Sequence, residues 1–246
     1  MFRYLLYFVV SCFLLNSPSF VHATSAPSNP IEKLLKNDRK KKKKSKKNQP
    51  APAPAPYHCK SSALANQLLT GLRGIEIGGS AHNCFNLNTL NIDYTDDYNT
   101  AFKQHEIKVT GGYLKVDIVS PGDDLPFKDN VWDFVINSHA VEHFYDPIKA
   151  IKEWLRVTKP GGYVFIIAPH KERTFDRDRP RSTLAEIIDR HEHPNPPVPM
   201  NYDHHSVWIT EDFIEICNYY GWPICAVQDV DDKVGNGFTV VIQKPL

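Results

Sequence analysis

The chain has 246 residues, enough for one α/β domain with extensions, and its formal net charge of +1 conceals two oppositely charged parts. Ten lysines and arginines lie in residues 31–48, whereas residues 57–246 hold 18 basic and 26 acidic residues, a formal charge of about −8. An acidic domain repels phosphate backbones, which argues against nucleic acid as a substrate. The five cysteines form no CxxC pair, so the sequence predicts neither a zinc site nor a disulfide framework.

The N-terminal 56 residues are typical of targeting and linker sequence. A charged start, an apolar run and a small residue at the end of residues 1–23 predict a secretory signal peptide. An uncleaved anchor that keeps the domain in the cytosol is the alternative, because lysines follow the apolar run. Residues 24–56 predict a disordered linker, whose lysines either form a solvated spacer or bind an anionic membrane surface. We therefore expect the domain, residues 57–246, in the secretory pathway, either secreted or membrane-anchored.

Residues 74–93 contain two short strand patterns separated by a glycine turn. Apolar residues flank Glu76 before Gly78 and Gly79 end the first strand, and Asp93 ends the second. In a doubly wound sheet, such glycines let the backbone approach a nucleoside, and such an acid binds its ribose hydroxyls. Two of the three glycines of a dinucleotide fingerprint are missing, so a pyrophosphate site is poorly supported.

A third acid follows the same pattern. Asp117 lies near the end of a predicted third strand over residues 113–118. Because the carboxyl ends of parallel strands face one crevice, Glu76, Asp93 and Asp117 are predicted to converge on a single adenosine.

Residues 125–143 combine a Leu-Pro-Phe turn, a Trp-Asp-Phe-Val-Ile strand and a Glu-His pair at the start of the next predicted helix. With the three acids, this segment resembles the class I S-adenosylmethionine-dependent methyltransferases, in particular the type 11 small-molecule group, and the resemblance covers roughly residues 60–246. It implies a doubly wound, mostly parallel seven-stranded sheet, the Rossmann-like methyltransferase fold, with an antiparallel seventh strand. The cofactor that it implies is S-adenosyl-L-methionine. The implied cofactor contacts are Glu76, Gly78, Gly79, Asp93, Asp117, Leu125 and Asn137, with Phe127 beside Leu125 on the adenine.

The rest of the chain supplies the remaining elements. Asp146 and Pro147 are typical of an N-cap and a first-turn proline, so they begin a helix. A Lys-Pro-Gly-Gly turn then precedes an apolar strand. The other predicted elements are helices over residues 61–72, 98–106 and 210–220, the last with Thr210 as N-cap, and strands over residues 163–168, 223–230 and 238–243.

Residues 170–208 interrupt the alternation of strands and helices and predict a substrate-lid insertion. The segment contains five arginines, which either bind an anionic or sugar-like substrate or form salt bridges with neighbouring acids. It also holds clustered histidines, but their spacing fits no known ligand pattern, so no metal is predicted. The residues in question are Arg173, Arg177, Arg179, Arg181, Arg190, His170, His191, His193, His204 and His205.

The function implied by the resemblance is methyl transfer to a small-molecule or glycan-like acceptor. Candidate general bases are His139, His143 and His205, with His139 first because it directly follows the predicted strand of residues 132–136. A catalytically silent methyltransferase fold that binds a partner is one alternative, and a metal-dependent hydrolase built on the histidine-rich insertion is another. The sequence leaves the oligomeric state open.

Overall fold

The computed structural model describes residues 60–194 and 203–246, so the predicted signal peptide and linker lie outside the described residues. The described part is a seven-stranded sheet with helices on both faces. The strands are β1 (Gly74–Ile77), β2 (Thr89–Asp93), β3 (Ile118–Val119), β4 (Trp132–Ser138), β5 (Thr158–Pro169), β6 (Ile224–Gln228) and β7 (Gly237–Gln243). The α-helices are α1 (Ala63–Leu69), α2 (Ala101–Thr110), α3 (Pro147–Val157), α4 (Leu184–Glu192) and α5 (Thr210–Tyr219). Short 3₁₀ helices span Val141–His143, Lys171–Arg173 and Phe175–Asp178.

The strand order confirms the predicted doubly wound sheet. The strands lie side by side in the order β3-β2-β1-β4-β5-β7-β6. Strands β1 to β5 are parallel, whereas β7 is antiparallel to both β5 and β6. The chain order reverses between β1 and β4, and ligands of open α/β sheets bind outside the carboxyl ends of the strands at such a point.

The central strands are buried on both faces, which explains their nearly continuous apolar sequences. In β1, Ile75 and Ile77 pack into one core cluster together with Trp154 of α3. In β4, Phe134 and Ile136 pack into a second cluster with α1. Helix α3 begins as predicted, with the Asp146 side chain accepting a hydrogen bond from the amide of Lys149.

Two predicted boundaries at the first edge of the sheet are wrong. Strand β3 contains only Ile118 and Val119, so Asp117 precedes the strand instead of ending it. Helix α2 begins at Ala101, three residues later than predicted, because the Thr100 side chain caps it. The first correction matters for the site, since only residues that follow a parallel strand reach the crevice.

The predicted N-cap of the α5 helix is also wrong. Thr210 is the first helical residue and Ile209 is the cap. The Asp212 carboxylate accepts a hydrogen bond from the Ile209 amide at 3.0 Å, while the Thr210 hydroxyl donates to Asp229.

Cys84 is disulfide-bonded, a bond that the spacing of the cysteines did not reveal. Cys217 and Cys225 are free thiols. Among residues 60–194 and 203–246, none of the helices combines the length and the apolar character that crossing a bilayer requires.

Candidate active site

A cavity of about 360 Å³ opens where the chain order reverses, a size typical of small-ligand sites. Gly78 and Gly79 line it after β1, Asp93 at the end of β2, and Ser138 and His139 at the end of β4. The insertion that follows β5 contributes Thr174, Phe175 and His204 to the wall. One cavity therefore joins the glycine turn to the first histidine of the predicted catalytic set.

The glycine turn packs closely against side chains of β1 and β2. Gly78 has φ +68°, a left-handed conformation that favours glycine. The Gly79 amide donates a 3.0 Å hydrogen bond to the Asn91 side chain. A Cβ at Gly79 would lie 2.6 Å from Oδ1 of Asn91 and 3.0 Å from Cδ of Glu76. Only glycine fits there without displacing its support.

Two buried residues of α2 complete the loop, and sequence reasoning missed both. Oε1 of Glu106 accepts hydrogen bonds of 2.6 Å from the amides of Ala81 and Leu114. Nζ of Lys103 lies 3.1 Å from Oε2 of Glu106 and 3.5 Å from Oδ2 of Asp93. The lysine therefore links the loop support to the acid at the end of β2. The sequence of α2 did not reveal that two of its charged residues, Lys103 and Glu106, are buried.

Asp93 is where the sequence placed it. Its side chain is 14% exposed and borders the cavity. Burial raises the pKa of Asp93, and the positive charge of Lys103 opposes that rise. A carboxylate on the cavity wall at the end of β2 can bind a pair of ribose hydroxyls.

The other two acids do not join Asp93, and the prediction of three converging carboxylates is wrong. Glu76 and Asp117 line a second, smaller cavity of about 180 Å³. Glu76 is within β1 and alternates with Ile77, so its side chain lies on the opposite face of the sheet. Burial raises its pKa to about 7, although Lys233 lowers it. Asp117 accepts a 3.0 Å hydrogen bond from the Asn91 amide, which ties β2 to the chain before β3.

The predicted adenine wall is also placed differently. Leu125 belongs to the core, and Phe127 packs against Trp132 with ring centroids 5.2 Å apart. Neither lines the cavity, and neither does Asn137, whose amide is fully buried without a hydrogen-bond partner. This part of the wall consists instead of Ser120 and Gly122, which follow β3, and Phe144, which follows the 3₁₀ helix after β4.

Two of the three candidate bases line the cavity. His139 and His143 both border it, and burial lowers the pKa of each to about 4, so both are neutral at pH 7. His205 does not border it, because its ring packs on Tyr145 with centroids 5.9 Å apart. The neighbouring His204 takes its place.

The other histidines of the insertion do not approach this cluster. His191 Nδ1 lies 2.9 Å from Asp146, and His193 Nδ1 lies 3.1 Å from Asp189. Neither borders the cavity.

Three of the five arginines of the insertion pair with carboxylates, and one of these pairs, Arg179–Asp176, is with an acid of the insertion, as the salt-bridge alternative expected. Arg173 lies 3.1 Å from Asp229, Arg179 lies 2.6 Å from Asp176, and Arg181 lies 3.4 Å from Asp212. Arg190 donates to the carbonyl of His205 at 3.0 Å, and Arg177 donates to that of Glu172 at 3.2 Å. None of the five lines the cavity, so they supply no anion site there.

Comparisons with known proteins agree with the fold. Residues 75–166 match a family model described as a methyltransferase domain. An uncharacterized protein of Methanocaldococcus jannaschii is 33% identical over 113 residues, which cover 45% of this chain and 50% of that protein. A demethylmenaquinone methyltransferase of Bacillus pumilus is 38% identical over 61 residues, which cover 24% of this chain and 26% of that enzyme. The chain spans about half or less of the length of the first curated relatives that it matches.

A methyltransferase from Aquifex aeolicus dependent on S-adenosylmethionine superimposes with a TM-score of 0.42 and 20% identity. The superposition covers 72% of this chain and 84% of that one.

Proposed function

We propose that this chain, which carries a class I S-adenosylmethionine-dependent methyltransferase domain and uses S-adenosyl-L-methionine as cofactor, methylates a small-molecule or glycan-like acceptor. The observation that carries the proposal is the single cavity shared by the glycine turn, Asp93 and His139. The cavity has a volume of about 360 Å³ and is partly walled by residues of the insertion, which favours a compact acceptor.

The residues of the cavity fit the cofactor. Gly78 and Gly79 present backbone without side chains, and Asp93 presents a carboxylate for the ribose. Ser120 and Gly122 follow β3 and line the cavity, so they would border the adenine, a role that the family resemblance assigned to Asp117. These are the residues that would hold it.

His139 is the proposed general base. When bound, the cofactor supplies an activated methyl group, and the carbon–sulfur bond breaks with its electron pair staying on sulfur. His139 follows β4 at φ +54° and is neutral, so it can accept the proton that a hydroxyl or amine acceptor releases as its lone pair bonds to the methyl carbon. Positioning of the acceptor in the cavity supplies the remaining acceleration.

Calorimetry with S-adenosylhomocysteine and transfer of labelled methyl groups test the proposal together. We expect Asp93→Ala to weaken affinity about 10- to 100-fold, since hydrogen bonds to charged groups contribute about 1.5–3 kcal/mol. Asp117→Ala is the matched control and should retain affinity within a few-fold. In a metabolite and glycan extract, label should enter low-mass or glycan fractions, and His139→Ala should abolish that transfer while keeping cofactor affinity.

Two results would contradict the proposal. Absence of S-adenosylhomocysteine binding to the wild-type chain would remove the cofactor assignment for this protein. Label found only in protein or nucleic acid would remove the small-acceptor assignment.

We also propose that the domain resides in the secretory pathway. The apolar leader predicts export, and the disulfide at Cys84 is of the kind that persists in oxidising compartments.

A further inference from the structure

Glu142 is the most unusual group in the cavity wall. It is fully buried, and neither of its carboxylate oxygens accepts a hydrogen bond from another residue. A buried carboxylate without a partner is costly, so a native structure that retains one requires an explanation.

Imidazole nitrogens surround this carboxylate without bonding to it. Nε2 of His143 lies 3.7 Å from Oε1 of Glu142, and Nε2 of His204 lies 3.9 Å from the same oxygen. Nδ1 of His139 lies 3.9 Å away. The ligand atoms of Glu142, His143 and His204 all lie within 4.8 Å of one another.

In both rings Nδ1 has a hydrogen-bond partner away from Glu142, which leaves Nε2 as the nitrogen near that carboxylate. His143 Nδ1 lies 3.1 Å from the backbone carbonyl of Asp203, which can only accept, so Nδ1 carries the proton. His204 Nδ1 lies 2.6 Å from Asp176, whose other oxygen is 2.6 Å from Arg179. Nε2 of His143 therefore carries a lone pair, and so does Nε2 of a His204 ring that is protonated only at Nδ1; both atoms lie within 4 Å of Oε1 of Glu142.

Lone pairs that face a carboxylate repel it unless a proton or a cation lies between them, and separations of 3.7 and 3.9 Å are too long for a hydrogen bond through a shared proton. Ligands about 2.0–2.2 Å from a common metal ion are separated by roughly 3.4 Å in a tetrahedral site. The two Glu142–histidine separations of 3.7 and 3.9 Å need to contract by only a few tenths of an ångström, and the ligand atoms of the whole group, which lie within 4.8 Å of one another, need to close by about 1.4 Å at most. The carboxylate–histidine pair of Asp176 and His204 is also the outer-shell arrangement that orients metal-binding histidines.

We propose that Glu142, His143 and His204 bind a divalent transition metal ion, with zinc as the best match to two imidazoles and a carboxylate. All three residues line the same cavity as His139, so an ion bound by them would border the space that we propose for the acceptor. The ion would bind an acceptor oxygen and lower its pKa, which makes the acceptor a hydroxyl compound. This role rests on the proposed methyltransferase function, whereas the metal site itself does not.

The test uses the untagged full-length chain, stripped with a chelator. We expect calorimetry with zinc chloride alone to show one site of submicromolar Kd, and cobalt(II) to give visible absorption bands of a low-coordinate nitrogen and oxygen site. Glu142→Gln and His204→Ala should each weaken zinc binding at least 100-fold. His193→Ala is the matched control, because this exposed insertion histidine pairs with Asp189 outside the cluster and should leave binding unchanged.

Several results would overturn the proposed metal site or its role. No saturable zinc site, equal affinity in Glu142→Gln, or loss of binding in His193→Ala in place of His204→Ala would overturn the site. If Glu142→Gln does not fold, as judged by circular dichroism, His143→Asn and the wild-type cobalt spectrum carry the test. Binding of S-adenosylhomocysteine is measured in the same samples. If the chain binds S-adenosylhomocysteine but has no zinc site, this inference is overturned and the proposed function is not. Transfer that survives stripping would overturn the role of the ion but not its site.

Discussion

Gly79→Ala tests whether the glycine turn is built as the packing indicates. The added Cβ would lie 2.6 Å from Oδ1 of Asn91, about 0.8 Å closer than ordinary van der Waals contact near 3.4 Å. Asn91 cannot rotate away at low cost, because its side chain accepts from the Gly79 amide and donates to the carbonyls of Gly79 and Lys115. Overpacking of this kind destabilises by about 1–3 kcal/mol.

The expected result has two parts, one in stability and one in binding. Urea unfolding should show that loss of about 1–3 kcal/mol, and calorimetry should show at least tenfold weaker binding of S-adenosylhomocysteine because the displaced turn borders the cavity. A double-mutant cycle isolates the cause, since Asn91→Ala removes the atom that the new methyl group meets. Gly79→Ala should therefore cost less stability in the Asn91→Ala background. Equal costs in the two backgrounds, or unchanged cofactor affinity, would refute the packing argument.

Two other predictions concern Glu76 and the leader. Because burial raises the folded pKa of Glu76 from 4.5 to about 7, its contribution to stability is complete below pH 4.5 and is lost as pH rises through 7, by about 3 kcal/mol in total. Unfolding free energies measured from pH 4.5 to 7.5 should therefore fall less steeply with pH in Glu76→Gln than in wild type, and parallel curves would show that Glu76 ionises normally. If the chain is exported, mass spectrometry of the secreted or membrane fraction should find a mature N-terminus near Thr24, and alkylation without reductant should leave Cys84 unmodified; an intact Met1 with alkylated Cys84 would contradict export.

The sequence predicted the central elements well because their signals are local. Strand β1, helix α3 and strand β7 each follow from a local apolar pattern with clear ends, and the antiparallel direction of β7 was implied by the family resemblance. The reversal of strand order that creates the crevice then follows from the fold class. Gly78, Gly79 and Asp93 were therefore placed correctly on the cavity wall.

The errors at Asp117 and Glu76 both arise near a strand end, the first from the length of the strand and the second from the direction of a side chain. Asp117 was predicted near the end of β3, but β3 contains only Ile118 and Val119, so Asp117 precedes the strand. Glu76 was assigned to the cavity although residues of alternate parity in a strand point to opposite faces. A pattern of acids locates strand ends, but the register that decides which acid enters the crevice depends on pairing with neighbouring strands.

The histidine cluster shows a second limit of sequence reasoning. His143 and His204 are 61 positions apart, and nothing in their spacing indicates that both approach Glu142. Asp176 and Arg179, which orient His204, come from a 3₁₀ helix and the residue after it, within a segment that carries no periodic signal. The sequence suggested metal ligands among His191, His193, His204 and His205, and only His204 of these lies at the cavity.

The two ends of the cavity are therefore built by different parts of the chain. The proposed cofactor end uses turns that follow β1, β2 and β3, and the turn after β1 is supported by Glu106 of α2 and Asn91 of β2. The acceptor end uses the 3₁₀ helix after β4 together with His204 of the insertion. Substitutions at Gly79 should therefore weaken cofactor binding without removing the metal, and substitutions at His204 should do the reverse. A variant that removed both properties while remaining folded would show that the two ends are coupled, and the acceptor could then no longer be assigned to the insertion alone.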